Sequence, residues 1–276
     1  MPANSPATFG PEQDALRGRA FRDAVIPTAN AEDDAIHAGV AVLLHIDEAK
    51  RARLWLRHNG WDINRRHLER ARFFLRTRSR LHSEPAKSWD VAMFARRLHR
   101  QLRPDARIVD VGGVMSELPW VMHLAGHSKI ISCDLDPRVL SMPYGGAIDY
   151  RVGAPQDLRL ASGSVGAITA VSTIEHGVHL QEFLEWASVA LAPGGLLCVS
   201  TDYWPDKIST AGLGGFGLSW TVFSEQEIHD LIGWAKDVGL EIPGWDGRVP
   251  SAAEPPVSWN HKQYTFIALT FVKRTP

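Results

Sequence analysis

Two acidic residues and a glycine pair lie in or directly after two successive apolar runs in the middle of the chain. Asp110 lies in the run 108–111, Gly112 and Gly113 come directly after it, and Asp134 ends the next run, 130–133. A buried strand that leads through a glycine turn into a helix places a ligand at the carboxyl edge of an open α/β sheet. An acid about twenty residues further on can bind the hydroxyls of a ribose. The spacing therefore predicts a site for a nucleoside-type cofactor.

A second set of residues could move a proton. Glu175 and His176 follow the predicted strand 165–171, and Asp202 follows the predicted strand 196–201. Histidine has an ordinary pKa close to neutral pH, which suits it to accept a proton there. We take His176 as the first candidate for a general base and Asp202 as the second. The alternative for His176 is a structural role beside the cofactor.

The segment 203–223 combines four glycines with several aromatic side chains. Tyr203, Trp204 and Trp220 offer flat apolar surface, and we predict that they contact the substrate. A glycine-rich aromatic loop above a cleft can act as a lid that excludes water. The alternative is an ordinary long connection whose aromatic side chains dock on the core.

The elements that position these residues alternate between strand and helix. The pattern predicts strands at 107–111, 129–134, 147–152, 165–171, 196–201 and 263–273, and helices near 116–125, 179–191 and 225–238. Such alternation is typical of a doubly wound, mostly parallel sheet. The last strand follows a long proline-rich loop, which allows it to run antiparallel to its neighbours.

Helices are expected before the sheet. Asn30 is predicted to cap a helix that runs through Val40 and Ile46 to Gly60, and Asp62 a second helix, so that the two form a hairpin. A third helix is predicted from Ser88 to Leu102. We therefore divide the chain into an N-terminal arm and helical cap, 1–103, and an α/β cofactor-binding domain, 104–276.

Composition and charge narrow the class of protein. The 276 residues contain no apolar run of about 18 residues, so no membrane span is expected. The two cysteines lie in apolar runs, which indicates buried free thiols and a cytoplasmic location, and no metal site is expected. Residues 50–107 hold 17 Lys and Arg against 5 Asp and Glu. This basic stretch either docks on the acidic remainder or attracts an anionic small-molecule acceptor, whereas nothing in it matches a nucleic-acid-binding module.

Five stretches in order resemble class I S-adenosylmethionine-dependent methyltransferases. IVDVGG resembles the glycine-rich motif, SCDLDP the acidic end of the second strand, and VGAPQDLRLASGSVGAITAVSTIEH the third and fourth strands. ALAPGGLLCVSTDYWP resembles the turn and fifth strand, and FSEQEIHDLIGWAKDVGLEI the late helix that leads into the sixth. The resemblance covers about 105–273 and implies a seven-stranded Rossmann-like sheet.

The resemblance also implies a cofactor and its contacts. S-adenosylmethionine would be held by Asp110, Gly112, Gly113, Ser116, Asp134, Leu135, Asp157, Thr173 and Glu175. Two later glycines of the family motif are replaced here by Val114 and Ser116. The position of an acid that takes the adenine amine is Ala154, for which Asp157 is the substitute.

The expected activity is transfer of a methyl group to a hydroxyl, less often an amine, of a small acceptor such as a sugar or secondary metabolite. The N-terminal helices either cover the cleft or form a homodimer contact.

Three alternatives stay open. A nicotinamide dehydrogenase would require G-x-G-x-x-G, which GGVMSE does not supply. A SAM-binding enzyme of other chemistry, or an inert binding partner that retains the fold, would have the same cofactor-binding half as a methyltransferase.

Overall fold

A computed structural model of the chain describes residues 39–81, 85–215 and 217–275. The main strands are β1 (Val40–Val42), β2 (Arg107–Val111), β3 (Lys129–Asp134), β4 (Ile148–Val152), β5 (Val165–Val171) and β6 (Leu191–Tyr203). Shorter strands are β7 (Gly214–Gly215), β8 (Leu218–Ser219), β9 (Leu240–Glu241) and β10 (Val257–Trp259), and β11 (Lys262–Lys273) is the last. The helices are α1 (Ile46–His58), α2 (His67–Thr77), α3 (Ser88–Gln101), α4 (Leu118–Leu124), α5 (Leu180–Ala190) and α6 (Glu225–Asp237).

The central sheet has the order β1-β11-β6-β5-β2-β3-β4. The pairs from β6 to β4 are parallel, whereas β11 runs antiparallel to both β6 and β1. The predicted seven-stranded, mostly parallel α/β sheet with an antiparallel last strand is therefore confirmed. Because β2, β3, β5 and β6 are parallel, their carboxyl ends meet at one edge, where the predicted site residues lie.

Helices cover both faces of the sheet and bury two apolar layers. One layer includes Phe94 of α3, Trp120 of α4 and Phe266 of β11. The other includes Leu184 of α5 and Ile228 of α6. Strands buried from both sides read as continuous apolar runs, which explains why the sequence indicated them so clearly.

The N-terminal region differs from the prediction. Asn30 lies outside the described residues, and Val40 lies in β1 rather than in a helix, which begins only at Ile46. Gly39 has a positive φ of 73°, and the three residues after it are buried and pair with β11. Strand pairing at the sheet edge thus outweighs the helical spacing of the apolar residues.

The strand beside β11 consists of two pieces from opposite ends of the chain. β9, which follows the late helix where the resemblance implies a sixth strand, has only two residues and pairs at Val272 and Lys273. β1 continues the edge at 267–269, and a Cβ on Gly39 would lie 2.5 Å from Ile242 Cγ2. The seventh strand of the sheet therefore comes from the N-terminal region, which shares one sheet with the α/β part.

Two further boundaries differ locally. Asp62 accepts a hydrogen bond from the Asn64 N–H and so caps a short 3₁₀ turn, Ile63–Arg65, whereas the second helix begins at His67. α4 begins at Leu118 rather than near Ser116. None of the helices in the described ranges is long and apolar enough to cross a membrane.

Candidate active site

Asp110 is an internal anchor of the sheet edge. Its carboxylate accepts hydrogen bonds from Thr169 Oγ1 at 2.6 Å, Ser132 Oγ at 3.1 Å and Ser116 Oγ at 3.4 Å, and its exposed fraction is 1%. Burial raises the pKa of Asp110 to about 7, although the three hydroxyl donors oppose this shift. The side chain ties β2, β3 and β5 to the turn after β2.

The glycine pair is required by the packing of its neighbours. Gly112 has a φ of +82°, and a Cβ there would lie 2.2 Å from Thr173 Oγ1. A Cβ on Gly113 would lie 2.1 Å from Ser132 Oγ. Both glycine N–H groups donate to the Cys133 carbonyl, at 2.9 and 3.0 Å. These backbone donors are used inside the protein, whereas a dinucleotide site directs such donors at a pyrophosphate.

Asp134 lies at the tip of β3 with a fixed carboxylate. Oδ2 accepts from the Val114 N–H at 2.9 Å, and Oδ1 accepts from the Asp136 N–H at 2.8 Å. Burial raises the pKa of Asp134, and the two N–H groups oppose that shift. The side chain is partly exposed, and each carboxylate oxygen has a second lone pair to offer. This arrangement fits a ligand that presents two adjacent hydroxyls.

Leu135 and Asp157 lie beyond the tip of β3. Leu135 is 66% exposed, so its side chain can cover a ring bound beside Asp134. The exposed Asp157 carboxylate accepts a hydrogen bond from the Ala154 N–H at 3.0 Å. It thus caps the short turn Pro155–Leu158, a local role that the sequence reading had not included.

Thr173 and Glu175 lie after β5 and are directed into the protein. Thr173 Oγ1 donates to the Val111 carbonyl at 3.0 Å, which joins the end of β5 to the glycine turn. Glu175 is 1% exposed and accepts from Thr201 Oγ1 at 3.2 Å. Burial, with a contribution from Asp202, raises the pKa of Glu175 to about 8.

His176 is half-buried beneath the hairpin that β7 and β8 form. Its backbone N–H donates to the Thr173 carbonyl at 3.1 Å, and its ring hydrogen-bonds the Ser219 backbone. A Cβ on Gly215 would lie 3.3 Å from the His176 Cε1. Burial lowers the pKa of His176, so the ring is neutral near pH 7 and able to accept a proton.

Asp202 is held from two sides. Oδ2 accepts from Trp220 Nε1 at 2.7 Å, and Oδ1 lies 3.5 Å from Lys87 Nζ. Trp220 is 2% exposed, and Trp259 packs edge-on against it with a ring separation of 4.7 Å. The Asp202 side chain is therefore part of a fixed network between β6 and the segment that follows β8.

The predicted substrate-contact residues fall on different faces of the sheet. Tyr203 is fully buried in the layer under α5 and α6, with Phe223. Trp204 and Trp220 belong to the opposite layer, the one that contains α3. Trp204 is partly exposed, and its N–H donates to the Phe223 carbonyl at 2.9 Å.

Lys87 is a residue of the site that sequence reasoning missed. It immediately precedes α3 and donates a hydrogen bond to Ser172 Oγ. Its Nζ also lies 3.9 Å from Glu175 Oε1 and 3.9 Å from the centre of the Phe266 ring. Burial alone would lower the pKa of Lys87, but the neighbouring carboxyl charges raise it overall. The only signal in the sequence is a lysine at a helix start after a proline, which is too common to single out.

Asp90, one turn further along α3, completes this group. It is fully buried and accepts from Ser200 Oγ at 2.7 Å and from the Val91 N–H at 2.8 Å. Burial raises the pKa of Asp90 to about 6, although Lys87 opposes the shift. We call Lys87, Asp90, Glu175 and Asp202 the Lys87 cluster.

Comparison with known proteins gives a family for part of the chain. Residues 109–199 match a family model described as a methyltransferase domain. None of the curated proteins compared matches the chain. The matched segment runs from β2 to β6 and thus includes the glycine turn, Asp134 and His176.

Several solved structures are similar in fold. A putative methyltransferase in complex with the Trm112 activator of Haloferax volcanii is 18% identical, with a TM-score of 0.48, over 68% of this chain and 90% of that one. A geranyl diphosphate C-methyltransferase from Streptomyces coelicolor A3(2) is 19% identical, with a TM-score of 0.47, over 70% and 84%. An S-adenosylmethionine-dependent methyltransferase from Mesorhizobium loti is 17% identical, with a TM-score of 0.46, over 68% and 98%.

The matched segment contains the carboxyl ends of the parallel strands β2, β3 and β5, which lead to the glycine turn, Asp134 and His176. The sheet around it has the seven-stranded, mostly parallel form that the resemblance implied. Over residues 109–199 this chain is therefore similar to a methyltransferase domain.

Proposed function

We propose that the protein uses S-adenosylmethionine to methylate a hydroxyl oxygen of a small acceptor, such as a sugar or secondary metabolite. The main support for this cofactor is the position of Asp134, whose carboxylate is fixed by the Val114 and Asp136 N–H groups at the tip of β3. A ribose with two hydroxyls fits this carboxylate, and Leu135 supplies apolar cover for an adenine. The internal use of the glycine N–H groups favours a cofactor without a pyrophosphate.

When bound, S-adenosylmethionine supplies a methyl group activated by a positively charged sulfur. The residues of the chain then have two tasks, which are to align the acceptor and to take up its proton. His176 is the residue we propose for the proton, because its ring is neutral near pH 7 and partly exposed. Asp202 is the weaker candidate, since Oδ2 accepts from Trp220, Oδ1 lies 3.5 Å from the Lys87 ammonium and the residue is 3% exposed.

The acceptor side of the cleft is proposed to be built by the N-terminal helices and the β7–β8 hairpin. Lys87, just before α3, lies at the ends of β5 and β6. The β7–β8 hairpin covers His176. Trp204 lies on the same layer as α3 and is partly exposed, so we keep it as an acceptor contact. Trp220 acts through Asp202, which it holds in place.

The test of the base is a turnover assay with acceptors found by screening. His176→Ala should slow turnover by about 10²- to 10⁴-fold while the affinity for S-adenosylhomocysteine stays the same. His179→Ala is the matched control, because His179 is exposed and forms no side-chain cap on α5. Equal rates in the two variants would remove His176 from the proposal.

The second candidate function is a fold-retaining protein that binds the cofactor without methylating. The observation in its favour is that the β7–β8 hairpin covers His176, the proposed base. Affinity for S-adenosylhomocysteine without methyl transfer to any screened hydroxyl or amine acceptor would support it.

A further inference from the structure

The apolar side of α2 is directed to solvent. Of the eleven residues of this helix, the structure buries only Phe73. Leu68 and Leu75 are 74% and 67% exposed, and Ala71 lies exposed between them, so that these three residues form one row along the helix. We call Leu68, Ala71, Leu75 and the neighbouring exposed Phe74 the α2 face. Exposed apolar residues that adjoin in this way mark an interaction surface, whereas single exposed leucines do not.

Positive charge surrounds the α2 face. Residues 63–81 hold seven arginines against a single acid, Glu69. Arg66 and Arg70 donate to backbone carbonyls, which bind the N–H groups but do not neutralise the charge. Arg72 forms an exposed ion pair with Glu69. The segment therefore keeps a large excess of positive charge. Its exposed arginines include Arg65, Arg72, Arg76 and Arg78.

The partner of this face must offer apolar volume and negative charge together. A second copy that met the same face across a two-fold axis would bring the arginines of both copies together, which is unfavourable. An anionic bilayer meets both requirements, because leucine and phenylalanine side chains can enter the acyl boundary while long arginine side chains keep their charged ends at the headgroups. Charge complementarity therefore favours a lipid surface.

The helix α2 lies beside the cofactor edge of the sheet. It packs on the short turn Pro137–Ser141, and Arg138 of that turn donates to Ser79 Oγ, just after the helix, at 3.1 Å. Asp136 caps the same turn, and its N–H holds the Asp134 carboxylate at 2.8 Å. A surface bound to α2 is therefore next to the element that fixes Asp134.

We propose that α2 docks the protein on an anionic lipid bilayer, with the α2 face in the acyl boundary and the flanking arginines at the phosphate headgroups. This inference does not rest on the proposed function, because it uses neither the Lys87 cluster nor the glycine turn. The association is reversible and depends on salt, since the arginines contribute through an attraction that ions screen. It places the edge of the sheet that carries Asp134 near the membrane surface.

The test is co-sedimentation of the full chain with vesicles of two compositions. One consists of phosphatidylcholine alone, and the other contains about one third phosphatidylglycerol. The protein should bind the anionic vesicles at least about tenfold more tightly than the neutral ones, and about 0.5 M salt should weaken that binding. Equal binding to the two compositions, or binding to neither, would overturn the inference.

The double variant Leu68→Ser and Leu75→Ser removes the apolar row and keeps the charge. It should weaken binding to the anionic vesicles by about tenfold or more. Its free energy of unfolding should stay close to that of the unaltered protein, because neither leucine is buried. Val189→Ser is the matched control, since Val189 is also exposed but lies on α5, which packs on the opposite layer of the sheet from Phe73. Equal affinities of the double variant and this control would contradict docking through α2.

Arg76→Gln tests the charge separately. It should weaken binding to the anionic vesicles by about fivefold, because a basic residue near such a surface contributes an attraction of that size. Arg103→Gln changes the net charge of the protein equally but lies before β2, at the edge opposite the glycine turn, and should leave the affinity unchanged. Equal losses in the two variants would indicate an effect of net charge alone and would overturn the inference.

Two further outcomes would assign the α2 face to another partner and so reject the lipid surface. One is a dimer in solution that the double leucine variant converts to a monomer. The other is binding of polyglutamate that is as tight as binding of the anionic vesicles and that does not change in the double leucine variant. The first outcome would indicate a second copy of the chain, and the second an acidic protein.

Discussion

Arg53 on α1 forms a two-pronged salt bridge with Glu117, which immediately precedes α4. Arg53 Nη2 lies 2.8 Å from Glu117 Oε1, and Nη1 lies 3.0 Å from Oε2. The same guanidinium reaches Asp62 and donates to Ser88 Oγ at 2.8 Å. Ser88 follows Lys87, and Glu117 follows Ser116, so one buried side chain connects α1 to the first residue of α3 and to the residue before α4.

Arg53→Met should lower the free energy of unfolding by about 3 kcal/mol, because it leaves Glu117 and Asp62 as buried acids that have lost a partner. Urea denaturation measures this change. Arg72→Met is the control, since Arg72 forms an exposed pair with Glu69 and its removal should cost less than about 1 kcal/mol. Equal losses in the two variants would show that Arg53 is not the link described above.

Gly112→Ala should destabilise the protein by about 3 kcal/mol and weaken cofactor binding. Its methyl group would lie 2.2 Å from Thr173 Oγ1, in addition to the strain of a positive φ. Gly126→Ala separates the two effects, because Gly126 also has a positive φ, of 97°, but nothing lies within 4 Å of its added Cβ. That control should cost about 1 kcal/mol, and a Gly112 variant no worse than the control would contradict the close packing.

Lys87→Met should destabilise the protein most at alkaline pH. It leaves Asp202 and Glu175 without their positive neighbour, at a cost of about 2 to 4 kcal/mol. Because Glu175, whose pKa burial raises to about 8, can take up a proton instead, the loss should shrink between pH 8 and pH 5. Thermal denaturation at the two pH values checks this, and a loss that does not depend on pH would indicate a packing defect alone.

The free energy of unfolding should fall as the pH rises from about 5 to 8. Burial raises the pKa of Asp110 to about 7, of Asp90 to about 6 and of Glu175 to about 8. A raised pKa means that the folded state keeps a proton that the unfolded state releases, so this stability is complete below the ordinary carboxyl pKa and is lost as the pH passes the folded value. A stability curve that rises steadily over this range would contradict these protonation states.

The parallel strands and the cofactor turn could be predicted because their signals are local. The apolar run that contains Asp110, the glycine pair and the acid Asp134 are each recognised from a few neighbouring residues. β1 could not be predicted in this way, because the three apolar residues after Gly39 fit a helix as well as a strand. Only the pairing with β11 decides between the two. The prediction also grouped Tyr203 with Trp204 as substrate contacts. Successive side chains of an extended segment point to opposite faces, and the two residues belong to the apolar layers on opposite sides of the sheet.

The Lys87 cluster could not be predicted from the sequence for a different reason. Lys87 and Asp202 are 115 positions apart in the chain, and only the packing of α3 on β5 and β6 brings them together. The same holds for Arg53 and Glu117, which are separated by 64 positions. Side-chain pairs of this kind depend on tertiary packing, so no regular spacing in the sequence indicates them.

The central claim is tested most directly by calorimetric titration with S-adenosylhomocysteine, with NAD as the control ligand, on the unaltered protein and on Asp134→Ala. The account predicts micromolar binding of S-adenosylhomocysteine alone and a loss of at least about tenfold in the variant, because the carboxylate held by Val114 and Asp136 would bind the ribose. Binding of NAD, or equal affinity of the two proteins for S-adenosylhomocysteine, would contradict it.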